Sequence, residues 1–150
     1  MPELDPLELL GSWELSRVIV DRRADEQSSV EGRTDFARED DGRIRWSESG
    51  TLRRGGTRVE VSRVLFLEPR ESGWFVTFED GRDFHPWAPG SEVEHPCAPD
   101  TYLGVVKVLA TDRWSIEWQV SGPSKDYTMS SVLTRRGTTA DSPVSAFGGR

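Results

Sequence analysis

The sequence predicts an all-β protein, an antiparallel up-and-down β-barrel of about eight to nine strands behind a short N-terminal helical turn. Three observations carry this. Apolar and polar residues alternate with period two in run after run, as expected of strands with one buried face. Turn residues at hairpin spacing separate the runs: Asp40-Asp41-Gly42, Gly55-Gly56, Asp80-Gly81, Asp112-Arg113 and Gly122-Pro123. No βαβ alternation or interior helical periodicity interrupts them. A long antiparallel meander protects its edges by closing on itself, so a barrel is expected over a two-sheet sandwich.

Residues 5–11 read as one helical turn. Asp5 suits the N-cap, Pro6 the first helical position and Gly11 the stop, and the leucines between them are placed to plug a barrel end. In 12–20 the inward face is Trp13, Leu15, Arg17 and Ile19. A polar loop is expected over 21–30, then a strand over 31–38 with Thr34 and Phe36 inward. Residues 43–53 turn Ile44, Trp46, Glu48 and Leu52 inward. Residues 58–67 do the same with Val59, Val61, Arg63, Leu65 and Leu67, and 74–79 with Trp74, Val76 and Phe78. Strands over 101–109, 114–120 (Trp114, Ile116, Trp118 and Val120 inward) and 126–136 complete the set.

Between the fifth and sixth of these runs, residues 80–102 hold both histidines, the only cysteine and four of the nine prolines. They are expected to form a long rigid loop over the barrel mouth, a lid rich in proton-transfer groups. Residues 137–150 have the composition of a disordered tail, leaving 1–136 as a single domain.

A chain of 150 residues can build a core without metals or cross-links. Only 35% of it is hydrophobic, but six tryptophans and six phenylalanines supply bulk. The net charge of −7 argues against a nucleic-acid partner, which needs a basic face. A lone Cys97 excludes an internal disulfide and suits a reducing compartment. No apolar run approaches the roughly 20 residues of a membrane helix, and the first residues lack a secretion signal. The expectation is a cytoplasmic protein, monomer or homodimer, with no membrane partner.

Gly11-Ser12-Trp13 opening the first strand and Arg135 or Arg136 closing the last resemble the calycin superfamily of lipocalins and fatty-acid-binding-protein-like barrels. That resemblance implies a first-strand tryptophan covered by a last-strand arginine, a guanidinium stacked on an indole face. Further segments resemble an uncharacterised bacterial calycin-like family over roughly residues 7–136. They are Trp46-x-Glu48-x-Gly50-x-Leu52, Phe78-x-Asp80-Gly81-Arg82-x-Phe84-His85, His95-x-Cys97-x-x-Asp100-x-Tyr102 and Gly122-Pro123-Ser124-Lys125-Asp126-Tyr127. The resemblance implies the fold and no particular activity. Nitrobindin-like heme barrels have a glycine-rich first strand, which this chain lacks, so no cofactor is expected and heme is a secondary alternative.

Arg17, Glu48 and Arg63 are charges on the apolar face of their strands. A buried charge must pair, neutralise, or meet water or a ligand, so they either bind an anion in the lumen or fill it as an internal salt-bridge cluster. In the long loop, His95, Asp100 and Tyr102 have the makings of an acid/base set, or of hydrogen bonds that stiffen the loop. Zinc spacings are absent, so no metal site is expected. The preferred reading is a barrel that binds a small amphipathic or anionic, carboxylate-type molecule. Its binding residues would be Arg17, Trp46, Glu48, Arg63, Phe78, His85, Trp118 and Tyr127. The alternative is an isomerase, decarboxylase or hydrolase using His95, Asp100 and Tyr102 as catalytic residues. The last is a heme-binding or interaction module.

Overall fold

The computed structural model describes residues 4–137. A 3-10 helix, Pro6–Leu9, precedes β1 (Gly11–Asp21), β2 (Glu26–Arg38), β3 (Ile44–Arg54), β4 (Thr57–Arg70) and β5 (Gly73–Phe78). Then come β6 (Asp83–Pro86), β7 (Glu92–Cys97), β8 (Asp100–Ala110), β9 (Arg113–Ser121) and β10 (Asp126–Arg135). Among the described residues these ten strands form one antiparallel sheet, in the order β6-β5-β4-β3-β2-β1-β10-β9-β8-β7. Because β1 pairs with both β2 and β10, the ends of the chain are sewn together. The nearly closed barrel is interrupted in mid-sequence, between β6 and β7.

Two expectations are corrected. The strand count is ten, because residues 80–102 are not a lid: they contribute β6 and β7 to the barrel wall. Short strands carrying prolines and histidines lose the clean alternation that marks a strand, so they pass for loop. The expected polar loop over 21–30 also shrinks. β2 starts at Glu26 and pairs with β1 along its whole length, Asp21 opposite Glu26. The helical turn forms as its residues dictate, with Asp5 accepting from the Leu7 amide at 2.8 Å and Glu8 answering on the Asp5 amide.

The inward alternation creates two layers along the barrel axis. At the end where β1 begins, Trp13, Phe36, Trp46, Trp87 and Trp114 meet with ring centres 5.2 to 6.4 Å apart. Leu9 of the 3-10 helix, fully buried, caps them. Trp13 donates to the Leu9 carbonyl at 2.7 Å and Trp87 to the Leu4 carbonyl at 2.8 Å. The Arg135 guanidinium lies 4.2 Å over the Trp13 ring and donates to the carbonyls of Leu10 and Glu8. This is the arginine-on-indole stack that the resemblance led one to expect. One turn of helix and one arginine thus close this end. The tail expected beyond residue 137 lies outside the described residues. No helix among the described residues is long and apolar enough to cross a membrane.

Candidate functional site

Above the indole layer the interior turns polar. Arg17 on β1, Glu48 on β3 and Arg63 on β4 converge because Glu48 stands opposite Arg63 in register and the curved wall brings Arg17 across the lumen. Arg17 gives its Nε to Ser131 Oγ at 2.7 Å and its Nη2 to both Glu48 oxygens at 3.1 and 3.2 Å. Arg63 Nε reaches the same carboxylate at 3.1 Å, and Trp46 Nε1 lies 3.3 Å from it. Burial by itself would raise the Glu48 carboxyl. Arg63 and Arg17 outweigh it and hold the group below the usual carboxylate range. Burial draws Arg17 below its ordinary value, with Glu48 opposing.

The cluster is asymmetric. The Arg17 and Glu48 side chains are 10% and 4% exposed, whereas the Arg63 side chain keeps 36% of its surface. Only Nε of Arg63 is spent; neither of its terminal NH2 groups hydrogen-bonds a described residue. A cavity of about 80 Å3 adjoins it, lined by Leu15, Arg17, Val30, Glu48, Gly50 and Arg63. Two guanidiniums share one carboxylate here, so the lumen carries an unbalanced positive charge beside open space.

The second group of side chains spans the β6–β7 interruption. Phe78, Phe84 and Trp118 form a continuous stack, with ring centres 4.6 and 5.1 Å apart and planes 17° and 9° from parallel. Trp118 lies flat because its strand partner is Gly104, where a Cβ would come within 2.8 Å of the indole. His95 of β7 bridges to the Phe84 carbonyl of β6 at 2.9 Å and packs edge-on against Phe84 and Phe78. His85 packs edge-on against Phe84 and Trp118, with Nδ1 2.8 Å from the Pro86 carbonyl. Burial first, and then the nearby His95 and Arg63, lower the pKa of its imidazole to about 4 against the opposing Pro86 hydrogen bond.

The third group stands near the start of β8 and β10. Lys125 donates to Tyr102 Oη at 2.9 Å and pairs with Asp100 at 3.1 Å. Those two contacts, Tyr102 first, raise the Lys125 ammonium above its ordinary value. Gly122 permits this arrangement: a Cβ there would sit 2.0 Å from Asp100 Oδ1. Burial raises the Tyr127 hydroxyl beside Tyr102.

The structure therefore gathers the expected residues into three groups. Arg17, Trp46, Glu48 and Arg63 form the charged cluster; Phe78, His85 and Trp118 the aromatic wall; Tyr102 and Tyr127 the rim. It does not join His95 to Asp100. Nδ1 of His95 is engaged by the Phe84 carbonyl, and Asp100 is engaged by Lys125. Ser131 and Phe84 are not among the site residues expected from sequence, and Lys125 was expected in a solvated turn pair rather than on Tyr102 and Asp100. A serine at an inward position of β10 was a legible signal for the first. No group of three or more His, Cys, Asp or Glu among the described residues is placed to hold a metal ion.

The same fold occurs in solved structures of low identity. An S-type phycobiliprotein lyase from Guillardia theta superposes with a TM-score of 0.57 at 12% identity, covering 87% of this chain and 89% of its own. A Nostoc punctiforme protein of unknown function from the DUF3598 family gives 0.55 at 14%, covering 89% of this chain and 49% of its own. The present chain thus spans about half of that second protein. No curated protein matches the sequence. A family model does, over residues 9–135, which takes in the Trp13–Arg135 closure and all three side-chain groups. The chain belongs to the family of unknown function DUF6314.

Proposed function

We propose that the protein is a small-molecule-binding barrel whose lumen takes an anionic, carboxylate-type ligand at the Arg17–Glu48–Arg63 cluster. One observation carries the reading: two guanidiniums share a single buried carboxylate, and the more open of them faces a cavity with its terminal donors unspent. An arginine fork is suited to a carboxylate, and an anion there would balance the charge. The volume supports one of the two ligand types expected from sequence over the other. About 80 Å3 is far below the roughly 300 Å3 or more of a drug-sized pocket, which favours a small anion over a long amphipathic chain. In this reading Phe78, His85 and Trp118 would supply an aromatic wall and Tyr127 a rim.

The reading extends to the whole molecule as a single calycin-type domain over 1–136, working in the cytoplasm as a monomer or homodimer, without a cofactor. Acid/base catalysis by His95 is the weaker alternative, since Asp100 is committed to Lys125. An absorption scan of purified protein near the Soret region addresses heme.

The test is calorimetric titration of the full chain with acetate, propionate, benzoate and inorganic phosphate. A carboxylate is expected to bind, and Arg63→Met is expected to abolish binding while the protein stays folded. Silence from every anion, or equal binding by Arg63→Met, would overturn the proposal.

A further inference from the structure

The strand register explains why there is open space beside Arg63. Along one row of the sheet, Leu15 of β1 stands opposite Gly32 of β2, Gly32 opposite Gly50 of β3, and Gly50 opposite Val61 of β4. The two middle positions have no side chain, and neither can gain one. A Cβ on Gly32 would lie 2.1 Å from the Ser49 carbonyl oxygen, and a Cβ on Gly50 would lie 2.7 Å from that of Glu31. The row is therefore a notch with Leu15 at one end and Val61 at the other. One inward step along the same strands, about 7 Å away, the next row sets Glu48 opposite Arg63. The cavity of about 80 Å3 lies where the two rows meet. Besides the charged cluster and the outward-alternating pair Ser49 and Ser62, it is lined by Leu15, Val30, Gly50 and Val61. Leu15 and Val30 are 2% and 3% exposed, so one half of this cavity is buried hydrocarbon and the other half is charged.

We infer, resting on the anion-site reading above, that the ligand is a short aliphatic monocarboxylate. Its carboxylate sits on the unspent donors of Arg63, and its alkyl tail lies in the glycine notch against Leu15, Val30 and Val61. All four residues line the same cavity. Charge and size narrow the class. Two guanidiniums and one carboxylate leave a single positive charge, which a monoanion balances. A dianion brings a second negative charge toward Glu48. At roughly 30 Å3 for a water-sized group, the cavity holds a tail of about two or three carbons. A benzene ring needs roughly twice the volume.

Calorimetric titration of the full chain with acetate, propionate, butyrate, hexanoate and succinate tests this. Affinity is expected to rise about fourfold with each methylene from acetate to butyrate, the gain from burying one CH2, and to stop rising by hexanoate. Succinate is expected to bind more weakly than butyrate. Val61→Leu pushes an extra carbon into the notch from a half-buried position, so it should weaken butyrate more than acetate. If that variant does not fold, the wild-type series decides alone. Equal affinity from acetate to butyrate, a rise that continues through hexanoate, or tighter binding of succinate would overturn the inference and leave the anion site standing. An unchanged butyrate-to-acetate ratio in folded Val61→Leu would do the same. Failure of every acid to bind would overturn both.

Discussion

The indole-packed end of the barrel and the charged layer above it handle buried polar groups in opposite ways. At the closed end, Trp13, Trp87 and Arg135 each send a donor to a carbonyl of residues 4–10. Only Trp114 Nε1 and Thr34 Oγ1 are buried there without a protein partner among the described residues. In the charged layer one carboxylate serves two guanidiniums, and Arg63 retains unused hydrogen-bonding capacity. A region that spends its donors internally gains stability and uniqueness. A region that leaves them unspent keeps the means to recognise something else.

Substitutions should separate the two regions. Trp13→Ala strikes the closed end hardest, removing a fully buried ring that touches Trp114 and supports Arg135. A loss of about 4 kcal/mol is expected in denaturant unfolding. A loss under about 1 kcal/mol would mean that this layer does not hold the barrel. Glu48→Leu should cost on the order of 3 kcal/mol by leaving two guanidiniums uncompensated. Added carboxylate should narrow the stability gap between Glu48→Leu and the wild type measured in the same carboxylate, and leave the gap between Trp13→Ala and the wild type unchanged; identical changes in the two gaps would erase the distinction between the regions.

The pH dependence sharpens it further. His85 titrates at about 4 when folded, against 6.5 ordinarily, through burial first and then the neighbouring His95 and Arg63. Between those values the unfolded chain binds the extra proton, so stability is full above about pH 6.5 and declines as pH falls toward 4. The decline is on the order of 3 kcal/mol. His85→Phe should flatten that window. Glu48 lies below the usual carboxylate range, so its contribution persists to lower pH.

Smaller effects are expected at the seam. His95→Leu removes the side-chain bond to the Phe84 carbonyl and should cost about 1 kcal/mol. Amide exchange should rise in β6 and β7 and leave β1 and β10 unchanged. Uniform exchange would show that the seam is no weaker than the rest. Least of all, Arg63→Met should shift stability by about 0.5 kcal/mol, since its guanidinium is partly solvated, even as it removes ligand binding.

Much of this molecule was readable one residue at a time. Arg17, Glu48 and Arg63 stood out because each broke an apolar face, and the structure brings all three to one point. The closure of Trp13 by a terminal arginine was expected from the resemblance carried by Gly11-Ser12-Trp13 and the last-strand arginines, and Arg135 supplies it. His85, Phe84 and His95 were harder, because β6 and β7 are too short and too irregular to show a period. Pairing Asp100 with His95 was plausible on sequence proximity. Instead Asp100 pairs with Lys125, distant in sequence, and Nδ1 of His95 meets the Phe84 carbonyl.

By itself the sequence determined the all-β class, the faces of the long strands and which charges point inward, since alternation is a local property of an extended chain. The tertiary structure decided the ten-strand, nearly closed barrel, the seam between β6 and β7, the single carboxylate shared by two arginines and the small volume beside them. Those depend on contacts between strands far apart in sequence, which no local pattern encodes.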